Sequence, residues 1–387
     1  MIKNPFSILR YTAVLMLVAS LFVVSGCKDD DDDAKPTMTL SELLASDTYK
    51  QSASVTADVA LDSTLKYINK YDELKALVSG STEYTLFAPS NTAFISLTAL
   101  PGLSNINKVN PDLIKGVLLY HFVASAKLKA DLTSGTSLNT LYTDATSSTV
   151  QTIVVNADGT LKTGSSNPSI VITKEDVKAT NGVMHITGTV LIPPSVGAVL
   201  VPILGKIAGT VLLGKDFTLL ARLIARADAG YTEDAATGKL KVSSWLARPT
   251  STTAPTFDGA TFFATPNAVF EAAASGLGVT ATAFIDSFTT GATGTARAVL
   301  LNHYVIGKYV VTATAGSTTL TNGATLTPLN GDTKKITILT GQTVSAQNPY
   351  GVVLSNTPGT AASFRPIVSK DLAHSNGIIQ VFGGILQ

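Results

Sequence analysis

The chain has 387 residues, of which 45% are hydrophobic and only 14% are charged, and its formal net charge is +1. This length predicts two or three globular domains, and the hydrophobic content is sufficient for buried cores. The near-zero net charge argues against a nucleic-acid partner, and the low charged fraction favours an extracellular chain with a surface of Thr, Ser and Asn. The single cysteine excludes an intramolecular disulfide and a cysteine-based metal site.

Residues 1–26 have the three parts of a secretory signal. Lys3 and Arg10 give a positive start, an uncharged and mostly apolar run follows from Tyr11 to Val24, and small residues precede Cys27. This arrangement resembles the lipobox of bacterial lipoproteins, in which the cysteine is lipidated and begins the mature chain. We therefore expect residues 1–26 to be a signal peptide and Cys27 to attach the protein to a membrane through acyl chains. The alternatives are a plain signal peptide and a short transmembrane anchor.

Residues 27–37 are predicted to form an acidic tether. Lys28 is followed by five aspartates, Asp29 to Asp33, and a run of like charges cannot pack against a core. The run resembles the export signal that places lipoproteins on the outer face of the outer membrane in some Gram-negative bacteria. The expectation is an outer-membrane lipoprotein exposed at the cell surface, and the periplasmic face is the less favoured location.

The rest of the chain contains an internal duplication. Three sequence blocks occur twice in the same order, and the distance between the two copies grows along the chain. The pairs are Thr85–Phe94 with Thr261–Phe270, Leu118–His121 with Leu300–His303, and Asn181–Ile186 with Asn376–Val381. We predict two domains, residues 38–194 (copy 1) and 195–387 (copy 2), with a linker and first helix of copy 2 at about 195–215.

The first block predicts a strand followed by a helix. Thr85–Ala88 is a short apolar strand that ends at Pro89, and Ser90 or Asn91 offers a side-chain oxygen to cap the next helix. Pro266 and Asn267 are expected to repeat this arrangement in copy 2.

Further elements follow from spacing and turn residues. Leu65 to Leu77 is predicted to be one helix, and Pro111 is predicted to open a helix that reaches His121. Asn181-Gly182 is a tight turn between two strands, and Pro193-Pro194 is expected to close copy 1. The elements together predict an α+β fold, with helices early and strands late in each copy.

These blocks resemble the conserved boxes of the fasciclin domain. The strand, proline, asparagine and phenylalanine of Thr85–Phe94 resemble the first box, and Asn181–His185 followed by Val190–Pro194 resembles the second. Tyr120-His121 matches the tyrosine–histidine pair between the boxes. The resemblance covers about residues 38–194 and 203–387, and it implies two tandem fasciclin-like domains, each a β-wedge or sandwich with a cluster of helices.

Copy 2 departs from the family pattern at three places. Thr265-Pro266 changes the position of the proline, Tyr304 follows His303 instead of preceding it, and Gln380 stands where copy 1 has His185. These changes weaken any activity carried by the tyrosine–histidine pair in copy 2, but they do not affect the expected fold.

The resemblance implies an adhesion or interaction module. In animal members, an aspartate–isoleucine segment and the tyrosine–histidine pair have been tied to receptor binding. The matching candidates for partner contact here are Asp112, Tyr120 and His121, with His303 and Tyr304 in copy 2. A structural role is the favoured alternative, because Asp112 stands at a helix start and His121 lies on an apolar helix face.

Catalysis is not expected from this sequence. The four histidines have no metal-ligand spacing, and the chain contains neither a Gly-x-Ser-x-Gly elbow nor a phosphate-binding loop. We therefore predict no enzymatic activity, no cofactor and no metal.

Val196 to Leu213 is nearly all apolar, but Pro202 and Lys206 interrupt it. A membrane span here would put the two copies on opposite sides of a bilayer. We instead predict that this segment packs between the copies, so that the two domains touch.

Two functional hypotheses remain from the sequence. The first is a surface adhesin that binds an extracellular protein, and the second is a glycan-binding accessory lipoprotein of a nutrient-uptake system. Sugars stack on exposed aromatic rings, for which Trp245, Tyr142, Tyr309 and Tyr350 are the candidates. The insertion at about 231–258 is the expected place for specificity.

Overall fold

The computed structural model describes residues 35–164, 168–234, 236, 239–252, 256–331, 335–356 and 363–386. The predicted signal peptide, Cys27 and the aspartate run lie outside these residues. Met38–Gln387 forms one compact unit.

The described helices are concentrated early in each copy, as predicted. They are α1 (Leu40–Ala45), α2 (Asp62–Ile68), α3 (Asp72–Ser79), α4 (Asn91–Thr98), α5 (Pro111–Leu119), α6 (Pro194–Ile203), α7 (Ile207–Leu213), α8 (Thr218–Asp228), α9 (Val242–Ala247), α10 (Asn267–Gly276), α11 (Ala281–Asp286) and α12 (Thr295–Asn302).

The strands of copy 1 are β1 (Tyr84–Pro89), β2 (Phe122–Ala124), β3 (Ser137–Thr143), β4 (Val150–Val155), β5 (Leu161–Lys162), β6 (Ile172–Ala179) and β7 (Gly182–Thr187). Those of copy 2 are β8 (Ala260–Ala264), β9 (Tyr304–Ile306), β10 (Tyr309–Val310), β11 (Thr318–Thr319), β12 (Thr325–Leu326), β13 (Ile336–Leu339), β14 (Val353–Ser355), β15 (Arg365–His374) and β16 (Gly377–Phe382).

The sheet of copy 1 has the strand order β5-β4-β3-β2-β1-β7-β6. β1 pairs antiparallel with β2 but parallel with β7, which comes much later in the chain. An antiparallel bridge between Leu161 and Ile170 joins β5 to the segment before β6. The first and last strands therefore meet, and the sheet is barrel-like.

Copy 2 contains the same ring of strands, opened at a different place. Its order is β12-β13-β14-β15-β16-β8-β9, and its parallel pair β8–β16 corresponds to β1–β7. The N–H of Leu329 donates to the carbonyl of Tyr304 at 2.8 Å, which brings β9 beside the segment after β12. The predicted α+β fold with two related domains is confirmed.

Each sheet separates two hydrophobic clusters, because successive strand residues point to opposite faces. In β7, Met184 and Ile186 pack with the helices of copy 1, whereas His185 faces the ring of Phe87 on the other side. In β8, Phe262 and Phe263 divide between the two clusters of copy 2 in the same way.

The two copies contact each other through the apolar segment after Pro193. Leu103 and Val109 of copy 1 belong to the same buried cluster as residues of α6, α7 and α8. The N–H of Asn110 donates to the carbonyl of Leu213 at 2.6 Å. The predicted contact between the copies is confirmed. None of the described helices is long and apolar enough to cross a membrane.

Two predicted elements were wrong in detail. The single helix predicted from Leu65 to Leu77 is two helices, because α2 ends at Ile68 and the chain turns before α3 begins at Asp72. Pro194 does not stop the chain but begins α6, since proline at the first helical position lacks only an N–H that has no intrahelical partner.

The side-chain cap predicted for both copies is present only in copy 1, and α5 is shorter than predicted. The hydroxyl of Ser90 caps α4 by accepting from the N–H of Ala93, as expected. In copy 2, Pro266 holds the cap position without a side-chain hydrogen bond. α5 ends at Leu119, so His121 lies just beyond the helix rather than on it.

Candidate functional site

Five of the predicted contact residues are buried. Their exposed fractions are 0% for Tyr120, 1% for His121, 3% for His303, 1% for Tyr304 and 8% for Trp245. Side chains this deep offer a partner no surface in this structure. The structural alternative therefore describes these five residues, and their predicted contact with a partner does not fit the structure.

His121 joins the end of α5 to the end of copy 1. Its Nδ1–H donates to the carbonyl of Val117 at 2.7 Å, and its Nε2 accepts the N–H of Leu191 at 3.0 Å. An imidazole that accepts an N–H is neutral. Burial lowers the pKa of His121 from its usual 6.5 to about 4, in agreement with these bonds.

His303 has the equivalent role in copy 2. Its Nδ1 is 2.5 Å from the carbonyl oxygen of Phe263, and its Nε2 accepts the N–H of Leu386 at 2.8 Å. Burial lowers its pKa to about 4 as well. Each histidine thus holds the C-terminal segment of its own copy against the sheet.

His185 supports a bulge in the neighbouring strand β6. Asp176 has a positive φ of 57°, and its N–H donates to Nδ1 of His185 at 3.2 Å. The opposite nitrogen, Nε2, donates to the carbonyl of Lys127 at 2.9 Å. Burial lowers the pKa of His185, and the neutral ring is the form that these two bonds require.

Gln380 makes the same connections in copy 2. The N–H of Asp371, which also has a positive φ, donates to Oε1 of Gln380 at 3.0 Å. The amide nitrogen of Gln380 donates to the carbonyl of Tyr309 at 2.9 Å. An amide offers an acceptor oxygen and a donor nitrogen at nearly the spacing of the two nitrogens of a neutral imidazole, so glutamine in place of histidine preserves these two hydrogen bonds.

Two buried asparagines complete this framework. Asn181 accepts the N–H of Leu40 and donates to the carbonyls of Val78 and Gly80. In copy 2, Asn376 accepts one helix N–H and donates to two carbonyls in the same pattern. Asn181 thus ties the start of α1 to the end of α3, and Asn376 ties the start of α7 to the end of α9.

The two tyrosines hold non-equivalent segments. The hydroxyl of Tyr120 donates to the carbonyl of Thr152 at 2.6 Å, whereas that of Tyr304 donates to the carbonyl of Trp245 at 3.1 Å. Burial raises the pKa of both phenols far above their ordinary value. Tyr120 therefore holds β4, whereas Tyr304 holds α9.

Trp245 does not form a sugar-stacking platform. Its ring lies 5.7 Å from the ring of Tyr304 and belongs to the core of copy 2. The chain after α8 folds back through α9, whose N-terminal N–H groups bond to the carboxylate of Asp228. The apolar side of α9 required burial, and for this reason the tryptophan is not available at the surface.

Asp112 is the one predicted contact residue of the described chain whose side chain is exposed. It stands in the first turn of α5, where Asn110 accepts its N–H at 3.0 Å. The neighbouring Tyr71 donates to the carbonyl of Pro111 at 2.9 Å. The helix dipole favours a carboxylate at this position. The carboxylate is also accessible, and its contact with a partner stays a prediction.

An open cleft of about 540 Å³ lies in copy 2, between α10 and the C-terminal segment. Small residues of α10 form one wall and Phe382–Leu386 forms another, while the polar rim includes Ser355 and Arg365. A cleft of this size accommodates a small organic ligand or one to two sugar units. Sequence reasoning missed it, because its walls come from segments far apart in the chain.

The histidines have no ring nitrogen left for chemistry. Besides the three described above, His374 bonds to the hydroxyl of Thr210 and to the carbonyl of Leu372. The described residues also bring together no group of three or more His, Cys, Asp or Glu side chains suited to a metal ion. The four histidines therefore belong to the hydrogen-bonded scaffold of the fold.

Part of this framework was predictable from the sequence. The two asparagines stand in a repeated block, and Asp176 and Asp371 repeat at the same spacing as His185 and Gln380. The positive φ of the two aspartates, and hence the need for a partner to their N–H groups, has no signal in a single sequence.

Comparison with known proteins identifies the domain. A family model described as the fasciclin domain matches residues 60–193. "Protein sll1483" of Synechocystis is 31% identical over 170 residues, which is 41% of this chain and 88% of that protein. "Transforming growth factor-beta-induced protein ig-h3" of Sus scrofa is 35% identical over 124 residues, which is 32% of this chain and 16% of that protein.

Among solved structures, a FAS1 domain pair from the insect cell adhesion molecule fasciclin I aligns with 84% of this chain and 96% of its own. The identity is 15% and the TM-score is 0.29. The relationship to the Synechocystis protein, which the chain matches over most of that protein's length, together with the family model and the repeated framework, leads to one conclusion. The chain belongs to the fasciclin-domain family and contains two such domains.

Proposed function

We propose that the protein is a non-catalytic, lipid-anchored surface protein that mediates adhesion through protein–protein interaction. Fasciclin domains are generally adhesion and interaction modules, and two are present. One observation carries the proposal: the four histidines, which are the chain's best candidates for acid–base chemistry, are all hydrogen-bonded within the fold through both ring nitrogens.

The proposed anchor is Cys27, with the signal peptide before it and the acidic tether after it. Fully extended, the ten residues from Lys28 to Thr37 span about 35 Å, so the domains can stand clear of a membrane surface. The proposed location is the outer face of the outer membrane.

Mass spectrometry and protease treatment of intact cells test this location. We expect the N-terminal peptide to begin at Cys27 with acyl chains, and we expect external protease to remove the domains from whole cells. The variant Cys27→Ala should leave the membrane fraction. An unmodified Cys27, or domains that only lysed cells expose to protease, would contradict the proposal.

The partner is proposed to be an extracellular protein that contacts exposed surface, including the region of Asp112. Immobilised residues 34–387 would be exposed to extracellular proteins in a binding screen, beside the variants Asp112→Asn and Asp131→Asn. Loss of binding in the first variant alone supports contact at α5. Equal binding by both variants removes Asp112 from the interface.

A glycan ligand is the second candidate, and the cleft in copy 2 is the observation that favours it. A glycan array probed with the same fragment separates the two candidates. Binding that Ala272→Leu abolishes, by filling the cleft, supports the glycan. Binding to proteins with no signal on the array supports the adhesion proposal.

A further inference from the structure

The cleft of copy 2 has two chemically different sides. Its helix side is aliphatic and is formed by small residues of α10 together with Ile385 and Leu386. Its strand side lies where β14 ends and β15 begins, and the polar residues there are Ser355, Asn356, Ser363 and Arg365. A ligand that fills the cleft therefore meets apolar surface on one side and hydrogen-bonding groups on the other.

The helix side is lined by smaller residues than the matched helix of copy 1. The repeated blocks align α10 with α4, so that Ala272 and Ala273 stand where copy 1 has Ser96 and Leu97. Leu97 is partly buried and packs against both the core of copy 1 and the cluster that the two copies share. Alanine in place of this leucine removes most of a side chain and leaves space along α10.

The strand side carries a positive charge at a position where copy 1 is apolar. Ile367 in β15 and Ile172 in β6 each pair with the last residue of the next strand, so the two hairpins align. This register places Arg365, which is exposed, where copy 1 has Ile170, which is only 4% exposed. Copy 2 has therefore gained a cation at the same place where its helix side has lost volume.

Arg365 gives the cleft a preference for an anion. It is the one ionisable side chain among the described residues that line the cleft. Its Nη1 donates to the carbonyl of Phe364 at 3.1 Å, and a guanidinium with five N–H donors can keep this bond while two others bind a carboxylate. Gly384 permits this placement, because a Cβ there would stand 2.5 Å from Cγ of Arg365.

The apolar side favours an aliphatic body over a sugar ring. Sugars stack on exposed aromatic rings, but Phe382, the one aromatic residue of the described lining, is only 1% exposed. The accessible apolar wall is formed instead by aliphatic residues of α10 and of the C-terminal segment. An alkyl chain gains free energy on such a wall through the apolar area that it removes from water.

We propose that the cleft of copy 2 binds a small amphipathic carboxylate. Its alkyl chain lies between α10 and the C-terminal segment, and its carboxylate pairs with the guanidinium of Arg365. The volume of about 540 Å³ is sufficient for such a ligand. This site goes beyond the adhesion proposal and does not depend on it, since the region of Asp112 belongs to copy 1.

Calorimetric titration of residues 34–387 with sodium octanoate at pH 7 tests the proposal. We expect saturable binding of one octanoate, no binding of acetate, which lacks the chain, and binding of 1-octanol, which lacks the charge, that is weaker by about tenfold or more. Arg365→Gln should weaken octanoate binding by about the same factor and leave 1-octanol binding unchanged. The matched control is Lys335→Gln, which removes a positive charge from an exposed residue of copy 2 outside the cleft.

A second variant covers the case in which Arg365→Gln does not fold. Ala273→Leu introduces the residue that copy 1 has at this position and should abolish octanoate binding by narrowing the cleft. The proposal is overturned if octanoate does not bind at millimolar concentration, if 1-octanol binds as tightly as octanoate, or if both variants leave octanoate binding intact. Binding of glucuronate without binding of octanoate would also overturn it, in favour of an acidic sugar, and would leave the adhesion proposal unaffected.

Discussion

His185 in copy 1 and Gln380 in copy 2 occupy the same position of the central strand and form the same two main-chain hydrogen bonds. Each accepts the N–H of a positive-φ aspartate and donates to a carbonyl of the segment after the second strand. The position therefore needs one acceptor and one donor rather than a titratable ring. Functional interpretations of this histidine have to explain why glutamine replaces it in the other copy.

The variant His185→Gln should fold with nearly unchanged stability. We expect its free energy of unfolding to lie within about 1 kcal/mol of the unchanged protein, because the amide reproduces both hydrogen bonds. His185→Leu should lose about 2 kcal/mol, since it leaves a partly buried N–H and a partly buried carbonyl without their partner. Urea unfolding at pH 7 measures both. Equal losses in the two variants would show that the ring itself is required.

Acidification should destabilise the protein through its buried histidines. The pKa values of His121 and His303 are about 4 in the folded protein, below the usual 6.5, because burial disfavours the charged ring. Between these values the unfolded chain takes up protons that the folded chain does not, so stability falls as the pH falls from about 6.5 to 4. Each histidine contributes roughly 1.4 kcal/mol per pH unit in this window.

Unfolding by urea at pH 5, 6 and 7 measures this slope. The variant His303→Gln should have a slope smaller by about 1.4 kcal/mol per pH unit, because one proton-binding group is removed from the unfolded chain. An unchanged slope would mean that His303 is not held neutral in the fold.

Gly182 should tolerate no side chain. It has φ of 142°, and a Cβ there would overlap the backbone of Tyr84 in the parallel pair β1–β7. We expect Gly182→Ala to lower the free energy of unfolding by at least about 2 kcal/mol. The control is Gly135→Ala, because Gly135 also has a positive φ but has no atom within 4 Å of its Cβ position. Similar losses at the two glycines would argue against the close strand contact.

Asn181 should require its amide. Asn181→Asp keeps an acceptor for the N–H of Leu40 but removes the donor that serves the carbonyls of Val78 and Gly80. We expect a loss of about 3 kcal/mol or more, since a buried carboxylate then faces two carbonyl oxygens. The control is Asn105→Asp. Asn105 is exposed, and aspartate keeps the side-chain oxygen that accepts the N–H of Asn107, so the unfolding midpoint should change little. Matching losses would refute the role of the amide donor.

The duplication and the fold class were predictable because both depend on short repeated blocks. Asn181-Gly182 and Asn376-Gly377 predict the turns, and Pro89 predicts the end of its strand. Local patterns of this kind act within a few residues, so a single sequence carries them.

The errors arose where distant segments decide the outcome. Trp245 is a plausible surface ring by sequence, yet Tyr304, far along the chain, completes its burial. The apolar residues from Leu65 to Leu77 keep a helical spacing, although the helix is interrupted between Ile68 and Asp72. Periodicity does not detect a turn that preserves the buried face.

The most direct test of the central claim measures adhesion of intact cells. Cells that carry the unchanged protein, cells that carry Cys27→Ala and cells without the protein would be compared for attachment to immobilised extracellular proteins and to one another. We predict that attachment falls in both altered strains, although the Cys27→Ala protein still folds and is recovered away from the membrane. Equal attachment by all three strains would contradict the account.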